Sequence, residues 1–450
     1  MRAARWCGAL LLAAAMPAGS VVAQGRDQVT RVPEWSRQLA LREGWLVKRH
    51  ELILPMMRRH GIGMWIVVNE EFHNDPVTET IAPPRPYAGN RDFFVFVDAG
   101  ADGLKRYSIT GYPEEALGRF FQPMPEGRNP GKMLAELYVR HQPKTIGLAI
   151  EGSRGVTRGV THATYQALAG WLGPEAAGRF TSAADLIEEY FDTRIPDERP
   201  AYTDLVAITD QIARLAFSNA VITPGRTTVG DLRRFLYDEY ARRGASTWFQ
   251  PDIRVQRRGA TGLEVGKHAA TPGAPGPALE ATVIEPGDVI HVDMGISALG
   301  FHTDWQKMAY VLRPGETDVP EGFKRAMANT NALQDAVMLR CSRPGRINTE
   351  VADCAMAEMK ERGIAAQIYS HPIGVQGHGL GAGINSGGAP GRPGKPLRLG
   401  SYISIELNTA TPVAEWGGQP VYVMMEDDAW LSETGWRFFQ PRQETWYLIR

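Results

Sequence analysis

Four carboxylates lie where carboxylates are least expected. Val289 to Ile296 reads as a core strand, yet it carries Asp293, and a return strand over His302 to Leu312 carries Asp304. Further on, Tyr402 to Ala410 carries Glu406 and Val421 to Leu431 carries Glu426. A buried carboxylate without a partner is prohibitively costly, and several close together repel one another further. Taken singly, any of these acids could pair with an arginine. Taken as a set they require cations, and four negative charges suit two divalent ions.

Between the two pairs runs His371-Pro-Ile-Gly-Val-Gln-Gly-His378. A single histidine is usually a surface or packing residue, but two in a Gly-rich stretch, where backbone can approach closely, are better candidates for a site. One histidine with four carboxylates is an oxygen-rich ligand set. It suits Mn²⁺, Co²⁺ or Fe²⁺ better than a tetrahedral Cys/His zinc site. Bridging carboxylates could hold two such ions about 3.5–4 Å apart with a hydroxide between them as nucleophile.

These residues need a scaffold, and the second half of the chain supplies it twice. A helix, Pro224-Gly225-Arg226 and a second helix running to Gly244 are matched by a helix, Pro344-Gly345-Arg346 and a second helix to Gly363. The offset between the two Pro-Gly turns is 120 residues. Pro-Gly stops one helix, and Thr228 with Asp231 makes a capping-box start for the next. A Gly turn then leads into a strand in each half, from Gly287 to Asp293 and from Gly400 to Glu406. So long a repeat implies two α+β halves related by a pseudo-twofold. Before them, a helical pattern covers Trp35 to Gly61, and short apolar strands fall at Met64 to Val68, Phe93 to Val97 and Thr145 to Ile150. A helix is expected near Thr164 to Leu172. Strands alternating with helices predict a small α/β domain over 30–198, followed by the repeated α+β unit over 199–450.

Composition narrows the classes. The 450 residues carry 49 Lys+Arg against 50 Asp+Glu, a formal charge of −1 that argues against nucleic acid as the main partner. Three cysteines exclude a disulfide scaffold, leaving the hydrophobic core to hold the fold. Residues 1–23 read as a signal peptide: Arg2 and Arg5, an apolar run from Trp6 to Met16, then Val21-Val22-Ala23 before Gln24. Eleven apolar residues are too few to span a bilayer. The expectation is an exported protein, periplasmic or secreted, without stable membrane insertion. Loss of the leader leaves 47 basic against 50 acidic residues, a charge of −3. Cys341 and Cys354 remain and could pair outside the cytoplasm, though nothing in their spacing demands it.

Asp293-Met-Gly with Asp304 eleven residues on, His371-x-x-Gly, Glu406 and Glu426 resemble the pita-bread metallopeptidases, a group that includes methionine aminopeptidase, aminopeptidase P and prolidase. The smaller domain in front resembles that of aminopeptidase P, prolidase and creatinase. The resemblance covers nearly all of residues 30–450. It implies an α+β fold in which an N-terminal creatinase-like α/β domain precedes a C-terminal pseudo-twofold pita-bread domain. It also implies two divalent ions, Mn²⁺ foremost with Co²⁺, Fe²⁺ or Zn²⁺ as alternatives, a short peptide as substrate, and a homodimer. Carried over by position, Asp293 would chelate one ion, and Asp304 and Glu426 would bridge both. His371 and Glu406 would complete the second ion, with Glu406 also moving a proton. His268 and His378 match two substrate-side histidines that hydrogen-bond the substrate and its tetrahedral intermediate.

Departures from that pattern bear on substrate. Met424 stands where proline-specific members place an arginine, and Gln367 where they place a histidine. Gln306-Lys307 replaces the usual Thr-Arg, and Leu407 replaces a common proline. Three readings follow: an exported dinuclear exopeptidase of Xaa-Pro aminopeptidase or dipeptidase type, a metal-dependent lyase on the same fold, or a catalytically silent interaction module.

Overall fold

The computed structural model describes residues 29–84, 88–112, 114–123, 129–260, 275–387 and 393–450. The leader over 1–23 and His268 lie outside them.

Apolar spacing in the first segment yields the helix Trp35–Arg59, which buries Trp45, Leu46, Ile53, Met56 and Met57. It lies against a sheet of six strands among the described residues, centred on Met64–Glu70, which pairs antiparallel with Arg91–Asp98 and parallel with Ile146–Leu148. Period-two alternation divides these strands between two cores. Trp65, Val67, Phe94 and Phe96 face one, while Met64, Ile66, Val68, Phe93, Val95 and Val97 face the other. The helix expected near Thr164 is present as His162–Ala177.

Helices Arg199–Ala216 and Val229–Arg242 open the second unit, and Glu321–Asp335 and Asn348–Glu361 repeat them. Thr228 and Asp231 form the reciprocal capping box that the sequence predicts. Gly225 and Gly345, at equivalent turns, have φ of 76° and 81°, a region that glycine enters without penalty. Each helix pair leads into three strands of a sheet that has nine strands among the described residues. They are named here by one residue each. The first half gives the Asp252 strand (Asp252–Gln256), the Asp293 strand (Val289–Met294) and the Gln306 strand (Trp305–Val311). The second gives the His371 strand (Ala365–Pro372), the Glu406 strand (Tyr402–Pro412) and the Glu426 strand (Pro420–Ser432). Their spatial order is His371, Glu406, Glu426, Gln306, Asp293, Asp252, every neighbour antiparallel. The order is symmetric about the junction between the Glu426 and Gln306 strands, where the two halves meet.

One expectation changes. The return strand predicted over His302 to Leu312 is broken: Phe301–His302 and Trp305–Val311 are separate, with Thr303 and Asp304 between them. The Asp304 N–H donates to Asp428 Oδ2 at 3.3 Å, and Thr303 Oγ1 accepts from Ile296 N at 3.1 Å. Side-chain oxygens thus take these two N–H groups, while the Thr303 N–H still donates to the Ile296 carbonyl at 3.0 Å.

The two units share one apolar core. Trp45 packs against Phe301 with ring centroids 5.4 Å apart, and Arg49 pairs with Glu198 in full burial at 2.5 Å. Cys341, ending a π-helical turn (Ala336–Cys341), is disulfide-bonded to Cys354 on the helix Asn348–Glu361. On the face of the sheet turned away from Gln306 and Glu426, the fully buried Lys307 Nζ meets Asp427 Oδ1 at 2.7 Å. Gln334, from helix Glu321–Asp335, donates to the other oxygen of Asp427 at 2.9 Å. Among the described residues no helix is long and apolar enough to cross a membrane.

Candidate metal centre

Strand register sets the chemistry in a line. Glu406 is directly opposite Glu426, Glu426 opposite Gln306, Gln306 opposite Asp293, and Asp293 opposite Asp252. Residues opposite one another share a face of the sheet, so five strands present one row of polar side chains. Asp304, two residues before Gln306, adds its carboxylate from the strand break. Ser370 fixes the Glu406 backbone by donating to its carbonyl and accepting from its N–H, both at 3.0 Å.

His371 enters from the adjoining strand. Its Nε2 lies 3.2 Å from Glu426 Oε1, 3.4 Å from Asp304 Oδ2 and 3.7 Å from Glu406 Oε2. Its Nδ1 lies 3.2 Å from the Pro372 carbonyl, which fixes the ring and leaves Nε2 as the ligand atom. Three sets of potential ligand atoms each gather within 4.8 Å: Asp293, Asp304 and Glu426; His371, Glu406 and Glu426; and Asp304, His371 and His378. Asp304, His371 and Glu426 each belong to two of the three.

The donor set fits divalent cations on the structure's own terms. Asp293 Oδ1 and Asp304 Oδ1 are buried without a hydrogen-bond partner. Burial, then the charge of Glu426, pushes Asp293, Asp304 and Glu406 well above the usual carboxylate range. Burial would raise Glu426, but the hydrogen bond and charge of His371, together with further hydrogen bonds that include Asp304, hold it below its ordinary value. Burial alone would lower His371, but its bond to Glu426 and the surrounding carboxylates push it up to about 9. Without cations these shifts favour protonated carboxyls at this centre. Carboxylates whose charge is so disfavoured, together with two unpartnered oxygens, mark a place built for exchangeable positive charge.

His378 is exposed and faces His371, with ring centroids 4.5 Å apart and planes at 83°. Trp248 packs edge-on against its other side at 5.3 Å, and a Cβ at Gly377 would overlap that indole. Partial desolvation of its ring against Trp248 and His371, reinforced by the charge of His371, lowers His378 to about 4, so it is a neutral imidazole at the mouth of the site. His302 bonds Ser297 Oγ at 2.7 Å, and His291 Nε2 lies 2.9 Å from Gln306 Oε1.

In the sequence Gln306 stands out only as a departure from the family pattern. Its Nε2 donates to Glu406 Oε1 at 2.6 Å, to Glu426 Oε2 at 2.9 Å and to Asp293 Oδ2 at 3.4 Å. The available signal was its two-residue spacing from Asp304 along one strand. Met424 also has company: Arg254, held by Asp252 at 2.7 Å, brings Nη1 to 3.6 Å from Met424 Sδ. A guanidinium thus reaches that place from the Asp252 strand.

The sequence pattern of metallopeptidase family M24 matches residues 202–433, more than half of the chain. The chain belongs to metallopeptidase family M24. No curated protein sequence matches it. Among solved structures it is similar to an X-Pro aminopeptidase from Thermotoga maritima, with 17% identity and a TM-score of 0.66 over 89% of this chain and all of that one. An Xaa-Pro dipeptidase from Bacillus anthracis superposes with a TM-score of 0.64 at 16% identity, covering 90% of this chain and all of that one. A prolidase from Pyrococcus furiosus gives 0.58 at 16% identity, covering 87% and 99%. At such identities the likeness establishes a shared pita-bread fold, and membership of the family makes this M24 protein a metal-dependent hydrolase.

Proposed function

We propose that this M24 metallopeptidase is an exported exopeptidase that cleaves short peptides at a two-ion centre, with a modest preference for Xaa-Pro bonds. Residues 30–198 are read as the domain flanking the cleft and 199–450 as the catalytic unit, in a homodimer. The observation that carries the reading is the convergence of Asp293, Asp304, His371, Glu406 and Glu426 into one buried set with unpartnered oxygens.

Asp293, Asp304 and Glu426 would hold one cation, and Asp304, His371, Glu406 and Glu426 the other, with Mn²⁺ preferred for an oxygen-rich set. Divalent ions bound there supply Lewis-acid polarisation and lower the pKa of water to near neutrality. The chain's own groups do the rest. Glu406, at one end of the row and raised in pKa, can hold a proton and return it to a leaving amine. Neutral His378, exposed at the mouth, offers an N–H to a carbonyl oxygen gaining negative charge. His268, outside the described residues, is assigned the same service by its sequence position. The Arg254 guanidinium beside Met424 supports recognition of a substrate's polar end, though from a different strand than in proline-specific relatives. The Cys341–Cys354 bond supports export, since disulfides persist in oxidising compartments.

A panel of di- and tripeptides with and without proline at the second position, assayed with Mn²⁺, Co²⁺ and Zn²⁺, tests the activity. Cleavage confined to short peptides and faster before proline is expected. No hydrolysis of any peptide by fully metallated protein would sink the reading. Intact-mass analysis of secreted protein should place its N-terminus at or near Gln24, and light scattering should show two chains per particle.

A further inference from the structure

Gln306 is the one neutral side chain between Asp293 and Glu426 in the row, and the fold's internal symmetry marks its position. The Pro-Gly turns of the two halves are 120 residues apart, and so are Gln306 and Glu426. Each stands on the inner strand of its half, facing the other across the junction, and each has an acid on its outer side, Asp293 or Glu406. Gln306 is therefore the first-half counterpart of a candidate ligand. It is buried, and its amide reaches oxygens of three of the four acids.

We propose that Gln306 is itself a ligand of this centre, its amide turning over when a cation enters so that Oε1 joins Asp293 and Glu426 in place of Nε2. The proposal rests on the two-ion reading above. An amide N–H pointing at bare carboxylates is favourable, but the same N–H pointing at a cation is repelled. The two ends of the amide have nearly the same shape, so a half-turn about the last side-chain bond exchanges a donor for an acceptor. The far end must then find a new partner, and His291 provides it. Its Nε2 now faces Gln306 Oε1 at 2.9 Å, so that nitrogen carries the proton. After the turn Nε2 would accept and the proton would move to Nδ1, which is buried and unpartnered. Asp252, on the adjoining strand, carries a charge that favours a proton on His291 and has its own Oδ1 buried and unpartnered.

The test is calorimetric titration of the metal-free full chain with MnCl2, comparing wild type, Gln306→Leu and Gln306→Glu. Wild type should take up two ions. Gln306→Leu should bind one of the two at least tenfold more weakly and leave the other unchanged. Gln306→Glu, which supplies a charged oxygen at the same place, should bind that ion at least tenfold more tightly, and it decides the matter even if the Leu variant fails to fold. Leu and Glu variants that match wild type would overturn the proposal while leaving the two-ion reading intact. A Leu variant that binds more tightly would show that Gln306 blocks the site, and would also overturn it. Wild-type protein that binds no Mn²⁺ would overturn both readings together.

Discussion

Glu406 and Glu426 stand directly opposite one another on adjacent antiparallel strands, the geometry in which like charges are most unfavourable. The protein tolerates the pair through His371 and through protons, and both yield to cations. Binding should stabilise the fold by mass action, by about 2.7 kcal/mol at a hundredfold excess over Kd, and chelation should lower the melting temperature. Asp304→Ala or Glu426→Ala, each removing a member of two ligand sets, should lose both ions and activity. Elemental analysis showing two ions retained in either variant would refute the sharing of these carboxylates.

The two facing histidines have different tasks under this reading. His371→Ala should reduce metal occupancy itself. His378→Ala should keep near wild-type metal content while kcat falls by about 10²–10³-fold, the range expected when a donor to a developing oxyanion is lost. Because His378 also lies within 4.8 Å of ligand atoms of Asp304 and His371, equal metal loss in both variants is the outcome that would reassign it as a ligand.

Acid should weaken the N-terminal unit through His50. Its Nε2–H donates to the Ile81 carbonyl at 2.7 Å, leaving Nδ1 to face Arg106 Nη1 at 3.0 Å. Burial chiefly, with the Arg106 charge adding to it, lowers the ring to about 4. Between that value and the unfolded value near 6.5, the unfolded chain takes up a proton that the folded chain refuses. Stability therefore falls as pH drops through this window, by about 2 kcal/mol at pH 5 from this residue. His50→Gln should flatten that dependence in urea unfolding curves; identical slopes for the two proteins would dismiss His50 as the cause.

The Cys341–Cys354 bond closes a short loop, its ends 13 residues apart in sequence. Replacing both cysteines by serine should cost about 3 kcal/mol, the chain-entropy value for a loop of this size. Equal denaturation midpoints for the variant and the oxidised wild type would show the bond to be incidental.

The sequence showed most of the centre because its acids break an otherwise apolar pattern on strands entered six residues after a glycine turn. Asp293 and Glu406 were legible for that reason, Glu426 as an acid within an apolar strand, and His371 from its glycine-rich setting. The strand break at Asp304 was not, because it depends on Asp428 arriving from far along the chain to take the Asp304 N–H. Gln306 was hidden differently. A neutral amide raises no electrostatic alarm in a strand, and only the register between neighbours shows it flanked by acids on both sides. The disulfide needed the same kind of information, since spacing in sequence does not say which helical turns approach one another.

Lys307 and Asp427 lie back to back with Gln306 and Glu426 on the same two strands. One face of that ribbon has its counter-charge built into the chain, an ammonium that cannot diffuse away. The other face borrows its counter-charge from solution. The two strands are thus pinned from behind before any ion arrives, and emptying the front face removes charge without removing the shape that received it. A protein so arranged can fold empty and be loaded where ions become available.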